Sequence, residues 1–186
     1  MRWALTVLAT TVLTGVAGAL AWSQLADPAR WTATDRGLQM DQVAVADQFG
    51  VTLTFMAVAA VGGLLIGFLM GVLARPVGWP LVLAAAAAGG AATLISWQLG
   101  MLWGPPDPSS VTGLSAGDMV PDQLAITFPA AFLVWSIASI AGLLPGVGLN
   151  PSARAEARED ERRWLAAESA TDARHDPFGE VDQVQR

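Results

Sequence analysis

The 186-residue chain has no cysteine and no tyrosine, and all of its basic residues are arginine. Without cysteine there can be no disulfide and no thiolate metal ligand. Histidine is almost absent too. The single His175 stands beside Asp176 with no companion ligands, so it reads as a solvated residue and not as a metal site. Charge is scarce: 14% of residues are charged, against about 25% in a soluble domain. The shortage is concentrated, since residues 3–26, 48–74, 76–106 and 123–153 carry no ionisable side chain. Proton relays, ion paths and intramembrane acid–base chemistry need such groups, so their absence counts against an ion-coupled transporter or an intramembrane enzyme. The chain shows no nucleophile–base pair, phosphate loop or lipidation signal. No catalytic, cofactor-binding or metal-ligating residue is therefore expected. A net charge of −6 argues against nucleic acid as a partner.

What is present is apolar length. Each uncharged run can cross a hydrocarbon core of about 30 Å as a helix at 1.5 Å per residue. The expected fold is an all-α membrane protein. A four-span membrane domain occupies residues 1–149, with spans at about 3–22, 51–73, 79–103 and 124–144. A cytoplasmic tail, 150–186, is expected to be helical to about residue 170 and disordered beyond it. The second and third spans form a hairpin about the basic turn Ala74-Arg75-Pro76-Val77-Gly78. In the first span Ala19-Leu20-Ala21 resembles a signal-peptide cleavage site. Its apolar run of about eighteen residues is nevertheless longer than the usual 7–15 of a signal core, so the span is expected to be retained.

Between the spans, Trp31-Thr32-Ala33-Thr34 and Leu38-Gln39-Met40 alternate in polarity around Asp35-Arg36-Gly37. They suggest a small β-hairpin or, failing that, an irregular tether. A lone hairpin is marginal in water and would have to rest on the membrane or a partner. Asp41 could N-cap a helical lead-in over residues 42–49. The second outer loop, 104–123, holds Pro105, Pro106, Pro108 and Pro121, and reads as extended without regular pairing. Pro129 falls in the first turn of the fourth span, and Pro145-Gly146 should end it or kink its last turn. Asn150-Pro151 is a good helix start, and Glu159 can pair with Arg163 four residues on.

The arginines set the orientation. Placing both termini inside puts Arg2, Arg75 and the six tail arginines in the cytoplasm, and leaves Arg30 and Arg36 outside. The outer loops then hold seven aspartates: Asp27, Asp35, Asp41, Asp47, Asp107, Asp118 and Asp122. Their spacing matches no calcium loop, so they read as a solvated acidic surface. Trp3, Trp22, Trp79 and Trp103 fall at span ends, as an aromatic belt requires.

Packing residues are the clearest constellation. Gly63, Gly67 and Gly71 recur every four residues on the second span, where a second backbone can approach closely. The short turn nominates the third span as partner, through Ala84, Ala88 and Ala92 with Gly89 and Gly90. Thr6, Thr10 and Thr14 line the first span, where they could bond across helices or, the favoured reading, to their own preceding turns. Ser136 and Ser139 lie on the fourth span. Ser96 and Gln98 on the third are candidates for an intramembrane polar contact, with Gln98 as an interhelical clasp or a substrate ligand.

The segments Trp31 to Gly37, Asp47-Gln48-Phe49-Gly50, Val61 to Leu73 and Ile95-Ser96-Trp97-Gln98-Leu99-Gly100 resemble those of small actinobacterial four-span membrane proteins carrying a domain of unknown function. The likeness covers about residues 1–144 and implies location and architecture without an activity. The functional expectation is a structural or accessory subunit of a larger cell-envelope assembly in the inner membrane. Its contacts would be membrane lipid and a protein partner or a second copy. The alternative is a transporter or lipid-handling protein for a neutral or apolar substrate.

Overall fold

The computed structural model describes residues 2–40, 42–73 and 78–174. The hairpin turn at 74–77, the Asp41 cap and His175 with the rest of the far tail lie outside them, as does the side chain of Trp3. Among the described residues nine elements follow in order: α1 (Arg2–Leu25), β1 (Arg30–Thr34), β2 (Gly37–Gln39), α2 (Gln42–Leu73), α3 (Trp79–Trp103), a 3-10 turn (Pro108–Ser110), β3 (Met119–Pro121), α4 (Ala131–Leu149) and α5 (Pro151–Arg174).

Helices α1 to α4 are each long and apolar enough to cross a membrane. Their burial is inverted relative to a soluble bundle. Leu8, Leu13, Leu64, Leu83, Leu94, Leu133 and Leu144 point outward and are exposed. The interior combines many small residues, Ala59, Ala85, Ala88, Ala92, Thr52, Thr93, Ser96 and Ser139, with Ile66, Leu124 and Leu143, around Trp22, Phe55 and Trp135. Many small residues inside and leucines outside suit helices held by close van der Waals contact.

The lead-in to α2 is helical from Gln42, so α2 is one continuous helix of 32 residues, about 48 Å long. The expected hairpin forms, with Thr34 opposite Gly37 across the turn. Gly37 has φ +111°, which a side chain would strain. It is not a lone hairpin, however. β3, from the loop read as unpaired, joins β1 antiparallel and makes a three-stranded sheet in the order β2-β1-β3. Trp31 lies opposite Val120, and Arg30 opposite Pro121. Pro121 is tolerated because β3 is an edge strand. Ala29 O accepts from Asp122 N at 2.7 Å, which carries the pairing one residue further. The segments that follow α1 and α3 thus support each other.

The fourth span begins seven residues later than expected, at Ala131. Phe128 precedes a proline, which disfavours helical geometry there. Residues 124–130 have other partners: Leu124 is buried, and Thr127 meets Thr52 hydroxyl to hydroxyl at 3.0 Å. At the other end α4 runs through Pro145 to Leu149. Pro145 removes one backbone donor, but close packing against α2 on either side of it holds the last turn. Asn150 caps α5 as expected, its Oδ1 accepting from Ser152 N at 3.0 Å. It also donates from Nδ2 to Gly71 O at 3.1 Å, which clamps the end of α2 to the α4–α5 joint. α5 extends to Arg174, a little beyond the expected end, and Arg163 lies 3.9 Å from Glu159 on its exposed face.

Candidate functional site

The glycine stripe packs, but not on the third span. α2 packs most closely on α4, α1 on α3, and α3 on α4, while the consecutive α2 and α3 touch sparsely. A Cβ at Gly67 would fall on the carbonyl oxygen of Ser139. One at Gly63 would stand 2.7 Å from Ala138 Cβ, and one at Gly71 2.8 Å from Gly146 Cα. The contact is reciprocal, since a Cβ at Gly142 or Gly146 would fall on the carbonyls of Leu64 and Phe68. Gly142 and Gly146 are four apart in the sequence, so the signal for α4 was there to be read. Only the short turn argued for α3, and a turn fixes order without fixing which faces meet. Ala88 and Ala92 are buried and Ala84 half-buried, but α3 turns its small residues to α1 and α4. Gly15 approaches Ala92 O and Ile95, and Gly89 approaches the backbone of Ser136.

Gln98 is exposed on the outer surface of α3, so it is neither a clasp nor an interior ligand. Ser96 is fully buried, as expected of an interior polar group, yet its hydroxyl has no partner among the described residues. Ser136 does cross between helices, donating to Ala86 O at 3.0 Å. Ser139, Thr10 and Thr14 bond their own preceding turns, at 2.8 Å for Ser139 and Thr10 and 2.7 Å for Thr14. Trp79 and Trp103 are exposed at helix ends. Trp22 is not: it is fully buried, donates to Val51 O at 3.0 Å and stands edge-on to Phe55 at 5.0 Å. The α1 helix is therefore keyed into the core through Gly15, Gly18 and Trp22.

The concentration of polar side chains lies elsewhere, in a pocket of about 400 Å3 where the sheet meets the bundle end. β1 and β2 supply Trp31 and Leu38, α2 supplies Gln48, and the 3-10 turn brings Asp107, Pro108 and Ser109. The segment after β3 adds Asp122, Gln123 and Ala125. Asp122 is only 7% exposed. Its Oδ1 accepts from Gln123 N at 2.9 Å, and its Oδ2 from Gln48 Nε2 at 3.4 Å. Asp107 caps the 3-10 turn at the rim. Bonds from the Ser109 hydroxyl and then the Ser109 amide hold its carboxyl below the usual carboxylate range. Trp31 Nε1 is buried without an acceptor among the described residues. No group of three His, Cys, Asp or Glu side chains converges as a metal site among those residues. The sequence had assigned the aspartates to a solvated surface. Asp122 departs from that because β1–β3 pairing folds its segment against α2.

No family model, curated protein or solved structure matches the chain.

Proposed function

We propose that this protein is a multi-pass protein of the inner membrane, with both termini in the cytoplasm, acting as a non-enzymatic structural or accessory subunit of a larger cell-envelope assembly. The observation that carries this reading is α5. It leaves the bundle at Asn150, packs on α4, and keeps its described side chains exposed, with Trp164 63% exposed. A solvated helix gains little from its own propensity and contributes little to the bundle. A helix so presented is suited to a partner that covers Trp164 and its flanking charges.

Two experiments test this. In mild detergent the full chain should capture a protein partner in fixed ratio. A variant lacking residues 155–186 should lose that partner while its melting temperature stays within about a degree. Retained capture, or a large drop in melting temperature, would remove α5 from the role. For orientation, the chain has no cysteine to mask. A single cysteine at exposed Thr112 should react with an impermeant maleimide in cells whose outer barrier alone is opened. One at Ala157 should react only after the inner membrane is opened. The reverse pattern would invert the topology.

The lipid-handling alternative has one observation in its favour. A groove of about 400 Å3 runs between α1 and α2, lined by Thr14, Gly18, Val61, Gly62 and Leu65 with Trp135 behind them. Capture of stoichiometric lipid and no protein would favour it over the subunit reading.

A further inference from the structure

We propose that the outer pocket binds a small ligand carrying an ammonium group. Its volume lies within the range of small-molecule sites, and its lining has their character, apolar walls with a few convergent polar groups. The charge of the lining is one-sided: two carboxylates, two amides and a hydroxyl, with no arginine or histidine. Asp122 is more than nine-tenths buried and, among the described residues, is met by neutral donors only, Gln48 Nε2 and Gln123 N. The ion pair found among the described residues, Arg163 with Glu159, is on α5. A buried carboxylate without a counter-ion favours a cation that can donate to it. Asp107 adds a second negative charge at the rim, kept ionised by Ser109.

A divalent metal is disfavoured, because no third carboxylate or imidazole joins these two among the described residues. An organic ammonium needs fewer charged ligands, and an indole is a favourable neighbour for it. The acidic outer loops, with seven aspartates against two arginines, would raise the local concentration of such a cation. Two sources share this chemistry: a free amino alcohol in the outer medium, and the ethanolamine headgroup of a lipid at the bundle rim.

The test uses the full chain in detergent free of amines, titrated calorimetrically. The probes are ethanolamine, its uncharged isostere ethylene glycol, calcium ion, and lysophosphatidylethanolamine against lysophosphatidylglycerol. Ethanolamine or the ethanolamine lysolipid should bind and ethylene glycol should not. Binding should weaken with added salt and fall at least tenfold in both Asp122→Asn and Asp107→Asn. Asp122→Asn keeps an acceptor for Gln123 N, and Asp107→Asn keeps one for Ser109 N at an exposed position, so both variants should fold, which an unchanged melting temperature would verify. Binding of the free amine assigns the solute source, and binding of the lysolipid alone assigns the lipid source. The proposal is overturned if neither ammonium compound binds, if ethylene glycol binds equally well, if calcium binds more tightly than either, or if Asp107→Asn binds like the wild type.

Discussion

Gly67→Ala should melt several degrees below the wild type in detergent and Gly67→Ile lower still, whereas Gly50→Ala should melt at or above the wild-type temperature. All three place a larger residue at a glycine of α2. By intrinsic helix propensity each alanine is favoured over glycine by up to about 1 kcal/mol. What differs is the space. A Cβ at Gly50 meets nothing within 4 Å, while one at Gly67 falls on the Ser139 carbonyl, with the Leu143 amide 3.0 Å away. Those are backbone atoms of α4, so no change of rotamer can make room. The helices must separate, and the neighbouring contacts at Gly63, Gly71, Gly142 and Gly146 loosen with them. Overpacking of this kind costs about 1–3 kcal/mol, more than propensity returns. The added apolar surface should leave insertion unimpaired. Leu65→Ile, at a half-exposed site off the stripe, should be nearly neutral. Equal melting of Gly67→Ala and Gly50→Ala would mean that α2 and α4 do not meet at Gly67.

The features legible in the sequence were those with a local cause. Uncharged runs gave the four helices, with α3 at its expected ends, Trp79 and Trp103. Asp35-Arg36-Gly37 gave the hairpin, Asn150 the cap, and the threonine spacing the bonds within α1. What escaped depends on which segments meet. Gly63, Gly67 and Gly71 announce a close contact but carry no label for the helix that makes it. Trp22 sits at a span end, where tryptophan usually marks the membrane interface. It became a core residue because Gly100 on α3 leaves room for its ring. β3 contributes only Met119 and Val120 before a proline, too short a pattern to read as a strand until β1 lies beside it. The pocket beside the sheet follows from that pairing, since Trp31 and Asp122 come together only when the segments after α1 and α3 join. Gln98 shows the converse error. Its depth in the run was correct, but depth does not say whether a side chain faces the bundle or its surroundings.

Trp135→Ala should be the most destabilising substitution of a single core side chain, and its effect on two glycines should identify why they are glycine. Trp135 is fully buried and faces Phe55 edge-on with ring centres 6.5 Å apart. Loss of such a ring costs about 3–5 kcal/mol in soluble cores. In the detergent micelle in which melting is read, the contact and cavity parts of that cost remain while the transfer part is smaller. The indole nitrogen has no partner among the described residues, so Trp135→Phe should be much milder. A Cβ at Gly62 would stand 2.6 Å from Cζ2 of Trp135, and one at Gly18 would fall on Cη2. These glycines yield space to a side chain, unlike Gly67, which yields it to a backbone. Gly62→Ala should therefore destabilise the wild type. In the Trp135→Ala background it should be neutral or stabilising, because the new methyl enters the vacated volume. Gly67→Ala should cost the same in both backgrounds, since the Ser139 carbonyl stays where it was. The double-mutant cycle thus predicts a coupling of about 1–3 kcal/mol for the Gly62–Trp135 pair and one near zero for Gly67–Trp135. Equal coupling in the two cycles would show that Gly62 is not spaced by the indole, and the account of the core at the junction of α1, α2 and α4 would fail.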